Sequence, residues 1–172
     1  MHTQSITFSC EDGAFLLRAA QDVQGSLEDV FAFFEDPRNL ERITPPLLRF
    51  RIIDPGSVHI HEGALINYRL RVRGIPIRWR TRITNWNPPH SFTDIQERGP
   101  YRLWEHTHTF EQLPRNTVRC SDAIRYKVLT GPIANTLIVR NDLKKIFTHR
   151  QRIIAQHFAQ QATPSDQAPA PV

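Results

Sequence analysis

Cysteine is scarce in this chain: Cys10 and Cys120 are the only two among 172 residues. Two thiols build no disulfide scaffold, and no Cys pair has metal-ligand spacing, so Cys-rich zinc modules are excluded. Glycine is also sparse, at seven. None of the seven falls in a loop that would cradle phosphates, which disfavours nucleotide-binding folds. No run approaches the ~20 consecutive apolar residues of a membrane span. The N-terminus lacks the basic start and apolar stretch of a secretory signal. The expectation is a cytoplasmic protein with two free thiols and no membrane insertion. Serine is present, but no serine sits in a nucleophile-elbow context.

What the chain does have is arginine. Lysine and arginine total 22 against 17 acidic residues, a net charge of +5, and only Lys127, Lys144 and Lys145 are lysines. The arginines form no block. They alternate with apolar residues, as on the outer face of a sheet rather than in a basic tail. No specific nucleic-acid partner is therefore expected. Hydrophobic residues make up 40% and charged residues 23%, which suits one globular domain. From Ala162 to Val172 the composition changes to proline, alanine and small polar residues. Such a segment cannot offset its ordering entropy by burial. The domain is expected over 1–161, followed by a disordered tail over 162–172.

A first strand is read around Phe15, Leu16 and Leu17, ending near Gly25. Ser26 is a helix N-cap with Asp29 in the first turn, and Leu27, Val30, Phe31 and Phe34 follow at helical spacing. Asp36-Pro37 restarts a second short helix with Leu40 and Ile43 on its apolar face, and Pro45-Pro46 stops it. Period-two runs then lie between turn signals at Pro55-Gly56, Gly63, Gly74, Pro88-Pro89, Gly99-Pro100 and Pro114. Their connections are too short for crossover helices, so the sheet is an antiparallel meander. After Gly131-Pro132 the period becomes helical through Val139, Leu143, Ile146, Phe147, Ile153, Ile154 and Phe158, a closing helix of roughly 25 residues. The class is α+β. A curved sheet of about six or seven strands would grip this helix and leave room for a pocket.

Strand alternation assigns the faces. Arg69, Arg71, Arg73, Arg78, Arg80 and Arg82 must face solvent, since several unpaired buried guanidinium groups are too unfavourable. Glu97 and Glu105 on later strands are available to relieve their repulsion. Tyr68, Leu70, Val72, Ile77, Trp79, Thr81 and Ile83 then face inward. The parity of Phe110 carries Trp104, His106 and His108 inward, that of Val118 carries Cys120, Asp122, Ile124 and Tyr126, and that of Phe92 carries Asp94 and Gln96. This set is too polar for a dry core and fits a ligand pocket. Each histidine and aspartate could equally hydrogen-bond a neighbour or a buried water.

His59-x-His61 and His106-x-His108 each place two imidazoles on one strand face. Zinc needs three or four ligands, and no Cys pair adds to His106, His108 and Asp122, so neither metal nor cofactor is expected. The same three residues are the catalytic candidates: a histidine beside Asp122 is an oriented general base suited to cyclising or dehydrating a polyketide-like substrate.

The stretch from Asp36 through Pro46 resembles the helix pair of START/Bet v 1-like (SRPBCC) proteins. Gly74 through Trp79 and Arg98 through Glu111 resemble a bacterial subfamily described as ligand-binding SRPBCC domain proteins, and Asp142-Leu143 with Ile146-Phe147 and Arg150 resembles its closing helix. The resemblance covers about nine-tenths of the chain, all but the tail. It implies a helix-grip fold with an internal hydrophobic cavity, in a family whose members bind lipids, quinones or polyketides and include cyclases and aromatases. It transfers no catalytic residue. The reading is a module that binds a hydrophobic small molecule through Tyr68, Trp79, Gln96, Trp104, His106, His108, Asp122, Tyr126, Leu143 and Phe147. The alternatives are a cyclase, aromatase or dehydratase in the same pocket, and an RNA- or membrane-surface protein using the outer arginines.

Overall fold

The computed structural model describes residues 4–53, 60–129 and 138–161. The order is β1 (Gln4–Glu11), β2 (Ala14–Gln24), α1 (Leu27–Glu35), α2 (Pro37–Ile43), a 3-10 turn (Pro46–Leu48), β3 (Arg51–Ile52), β4 (Leu65–Val72), β5 (Ile75–Asn87), β6 (Ser91–Arg98), β7 (Tyr101–Leu113), β8 (Thr117–Val128) and α3 (Arg140–Gln161). One antiparallel sheet of eight strands runs β1-β2-β8-β7-β6-β5-β4-β3. The closing helix has 22 residues. The Gly131-Pro132 and Pro55-Gly56 signals, His59 and the 162–172 tail lie outside the described residues.

Two strands, not one, precede the helices. Sequence reading missed β1 because its outer edge is polar and exposed throughout most of its length, so it carries little apolar period. The signal was nevertheless present in Asp12-Gly13. Both residues have positive φ, 49° and 68°, and Glu11 pairs with Ala14 across them, a two-residue hairpin of the kind Asp-Gly favours. Arg73-Gly74 repeats the device between β4 and β5, with φ of 51° and 83° and Val72 opposite Ile75. The two-residue β3 brings the count to eight.

The helix starts follow local rules. Ser26 Oγ accepts from the Asp29 amide at 3.1 Å and donates to its carboxylate at 2.6 Å. Asp36 caps α2 through the Arg38 amide, with Pro37 at the first turn. Helix α3 buries Leu143, Phe147, Arg150, Gln151, Ile154 and Phe158 along one stripe. Gln151 donates to the carbonyls of Ser5 and Ala20, which ties α3 to the β1–β2 edge. Two apolar clusters result. One joins Val30, Phe31, Phe33, Phe92, Phe110 and Phe158; the other joins Leu17, Ile124, Tyr126, Leu143 and Phe147. Between them the sheet and α3 stand apart, and a cavity opens.

The arginine face is outward. Arg69, Arg71, Arg73, Arg78 and Arg82 are exposed and Arg80 is half-buried. Glu97 pairs with Arg82 as expected. Glu105 instead stands opposite Arg125. Arg73 finds Asp142 on α3 at 3.0 Å and Arg80 finds Asn67 at 2.8 Å, because the closing helix and the neighbouring strand reach these arginines first.

Candidate functional site

The cavity holds about 400 Å³, within the usual range for small-molecule sites. Its sheet wall comes from β4 to β7: Tyr68, Leu70, Val72, Ile77, Trp79, Thr81, Ile83, Phe92 and Trp104. Helices α1 and α2 add Phe34, Leu40 and Ile43, and α3 adds Leu143, Ile146, Phe147 and Arg150. Tyr68 and Trp79 stack at 5.8 Å, with Trp104 edge-on to Trp79 at 5.3 Å. Their polar ends meet at Thr81 Oγ1, which accepts from Trp79 Nε1 at 3.1 Å and lies 3.0 Å from the Tyr68 hydroxyl. Burial, the Asp94 charge and the bond to Thr81 act on the Tyr68 hydroxyl, burial most, and its pKa is raised well above the ordinary range. This wall is a neutral aromatic surface.

One patch is different. Asp94 on β6, His106 and His108 on β7 and Asp122 on β8 are cross-strand neighbours, with Asp94 opposite His106 and His108 opposite Asp122. Asp122 Oδ1 lies 2.8 Å from His106 Nε2 and 3.1 Å from His108 Nδ1. Asp94 Oδ2 lies 3.4 Å from His106 Nδ1 and 3.1 Å from His108 Nε2. Each imidazole therefore sits between the same two carboxylates. Arg150 closes the group from α3, with Nη2 3.6 Å from Asp122 Oδ1 and 3.4 Å from His108 Nδ1. Aromatic rings support it: Phe92 stacks on His108 at 4.3 Å, and Phe34 and Phe147 flank the guanidinium.

Burial and charge compete here. For Asp122, burial pushes upward, but Arg150 and the two histidines overcome it and hold the carboxyl well below its ordinary range. Asp94 is likewise lowered, because the histidines and Arg150 outweigh its burial. Burial and the neighbouring His108 lower His106. For His108 burial pulls down, yet the bonds to Asp122 and Asp94 prevail and raise it. Two carboxylates, two imidazoles and a guanidinium thus share one buried group beside the apolar part of the cavity. A neutral imidazole backed by Asp122 can accept a proton from a bound molecule.

Of the residues singled out by sequence, Tyr68, Trp79, Trp104, His106, His108, Leu143 and Phe147 reach the cavity wall. Three do not. The Gln96 side chain is engaged by the backbone of Tyr101, donating to its carbonyl at 2.8 Å and accepting from its amide at 3.3 Å. The register between β5 and β6 shifts between Arg80 and Thr81, at the pairing of Thr81 with Gln96. Asp122 stands behind the imidazoles rather than beside the cavity, because the two histidine rings cover it. Tyr126 faces inward as its parity requires but is fully buried, packed against Phe15, Tyr101 and Trp104. His61 is exposed.

Sequence reasoning missed Tyr101, Phe34 and Arg150 as lining residues, and left Asp94 outside the set it selected. Tyr101 shares the cavity with Trp104 despite the odd spacing, because the β7 register shifts between Tyr101 and Leu103. Arg150 was readable as a charged residue on the stripe of Leu143, Phe147 and Ile154, a place where charge needs a partner.

The family model for polyketide cyclase / dehydrase and lipid transport matches residues 23–152. The chain belongs to this family. The match runs from the end of β2 into α3, and so includes every residue of the polar cluster. Solved structures share the fold at low identity. Protein Ms6760 from Mycobacterium smegmatis superposes with a TM-score of 0.67 at 14% identity, covering 91% of this chain and 99% of that one. A START superfamily protein from Mycobacterium smegmatis gives 0.66 at 12%, covering 86% and 99%. The ginseng major latex-like protein 151 from Panax ginseng gives 0.62 at 12%, covering 83% and 96%. No curated protein matches the chain significantly. The START/Bet v 1-like resemblance and the α+β helix-grip architecture thus hold for the family member in hand. Among the described residues no helix is long and apolar enough to cross a membrane.

Proposed function

We propose that this polyketide cyclase / lipid transport family protein binds a hydrophobic or aromatic small molecule, lipid-, quinone- or polyketide-like, between its sheet and α3. The observation that carries the reading is the cavity of about 400 Å³, walled mainly by aromatic and aliphatic side chains, with Asp94, His106, His108 and Arg150 gathered on one part of its wall. The apolar body of the ligand lies along Tyr68, Trp79, Trp104 and Phe147. Its polar end meets Asp94, His106, His108 and Arg150. The test is native mass spectrometry of the purified chain with extraction of any co-purifying compound, followed by titration of a fluorescent apolar probe. Saturable binding at one site, weakened by Trp79→Ala and Phe147→Ala, supports the reading. Absence of saturable binding by folded protein refutes it.

The His106–Asp122 pair favours a second reading, in which the same pocket cyclises or dehydrates a polyketide-like substrate. His106 would take the proton and Asp122 would stabilise the imidazolium formed. A catalytic role predicts that His106→Gln abolishes turnover while ligand is still bound, because the lost interaction belongs to the transition state.

A further inference from the structure

We propose that Asp94, His106 and His108 form a binding site for one divalent transition-metal ion at the polar patch of the cavity, with Asp122 outside the coordination shell orienting both imidazoles. The inference goes beyond ligand binding and does not depend on what the cavity holds.

Three observations carry it. The first is spacing. The three side chains offer donor atoms that all lie within 4.8 Å of one another, and Asp94 Oδ2 is 3.4 Å from His106 Nδ1 and 3.1 Å from His108 Nε2. An ion with bonds of about 2.0–2.1 Å in a tetrahedral shell separates its ligand atoms by about 3.3 Å. The two edges from Asp94 already have that length.

The second is the direction of the lone pairs. Asp122 Oδ1 contacts the other nitrogen of both rings, His106 Nε2 and His108 Nδ1. In the tautomers that donate both of these nitrogens to Asp122, His106 Nδ1 and His108 Nε2 turn their lone pairs toward Asp94 Oδ2, and one ion can take all three ligand atoms. A carboxylate holding the rear nitrogen of a metal-bound imidazole is the usual outer arrangement of such sites. Arg150 approaches the Asp122-side nitrogen of His108, not the Asp94 side.

The third is access. Asp94, His106 and His108 line the cavity and Asp122 does not. Three protein ligands leave a coordination position open toward the ligand space. With both carboxylates ionised and Arg150 charged, a divalent ion leaves the group one positive charge in excess. The open position therefore favours hydroxide or an anionic oxygen on the cavity ligand. Sequence reading set a metal aside because no Cys pair adds to His106, His108 and Asp122, and it took Asp122 rather than Asp94 as the third candidate. The cross-strand pairing of Asp94 with His106 provides the third ligand.

The test uses the full chain stripped with a chelator and titrated with Zn²⁺ by calorimetry and with Co²⁺ by visible absorption. One Zn²⁺ per chain is expected, with a Co²⁺ ligand-field band. Asp94→Asn and His108→Gln should each weaken binding more than about 100-fold, and Asp122→Asn by about 10–100-fold. His61→Gln and His149→Gln should change nothing. Circular dichroism and apolar-probe binding show whether each variant is folded. Should a variant not fold, nitrogen NMR of the wild-type imidazoles decides: Zn²⁺ must shift His106 Nδ1 and His108 Nε2. No stoichiometric binding, binding unchanged in folded Asp94→Asn, or unshifted nitrogens overturns the proposal. Probe binding with no metal binding overturns the metal site alone and leaves the cavity reading intact.

Discussion

Replacing Asp122 with alanine removes one carboxylate from the middle of a buried charge group. Its Oδ1 is 2.8 Å from His106, 3.1 Å from His108 and 3.6 Å from Arg150. Hydrogen bonds to charged groups contribute about 1.5–3 kcal/mol each, so the two imidazole contacts alone suggest about 3–6 kcal/mol. Asp94 remains and offsets part of the loss. Arg150, however, is only 8% exposed and loses its nearest anion. Breaking a buried ion pair by deleting one partner typically costs about 3–5 kcal/mol, and we expect Asp122→Ala to fall there. The comparison is Arg82→Ala, which deletes a surface pair with Glu97 and should cost about 0–1 kcal/mol. The assay is urea unfolding with chelator present, followed by circular dichroism and tryptophan fluorescence, with the slope checked for two-state behaviour. An Asp122→Ala loss below about 1 kcal/mol, no larger than that of Arg82→Ala, would refute the claim that these buried charges compensate one another.

Phe147 is buried at 3% exposure against Leu143 and Tyr126, so Phe147→Ala should lower stability by about 3–5 kcal/mol; an unchanged melting temperature means α3 is not docked as described. Glu41 accepts from the Ile52 amide and from Arg51 and its pKa is lowered, chiefly by the Ile52 bond. Its contribution is therefore present above about pH 4.3, the ordinary glutamate value, and lost as pH falls through the lower folded value. The stability advantage of wild type over Glu41→Gln should shrink on acidification, and an advantage that grows below pH 4 contradicts the assignment. Arg71 is exposed and Arg80 half-buried on the outer face, so Arg71→Ala and Arg80→Ala should leave apolar-probe affinity unchanged, whereas Trp104→Ala should weaken it severalfold. The reverse result in a fluorescence titration would mean the faces are inverted.

Local signals in the sequence determined the helix starts, the meander and the inward row of Tyr68, Trp79, Trp104, His106 and His108. These follow from capping chemistry and from the period of two, which depend only on near neighbours along the chain. Asp12-Gly13 belongs with them, since the β1–β2 hairpin was readable from that dipeptide. Tertiary structure decided what alternation cannot express. Register shifts brought Tyr101 to the cavity and accompany the engagement of Gln96 at the β6–β7 turn. The covering rings placed Asp122 behind the histidines and buried Tyr126. The approach of α3 set Arg150 over the imidazoles. Parity says which face a side chain takes; how deep it lies, and what it meets there, depends on bulges and on a helix that arrives from a distant part of the chain.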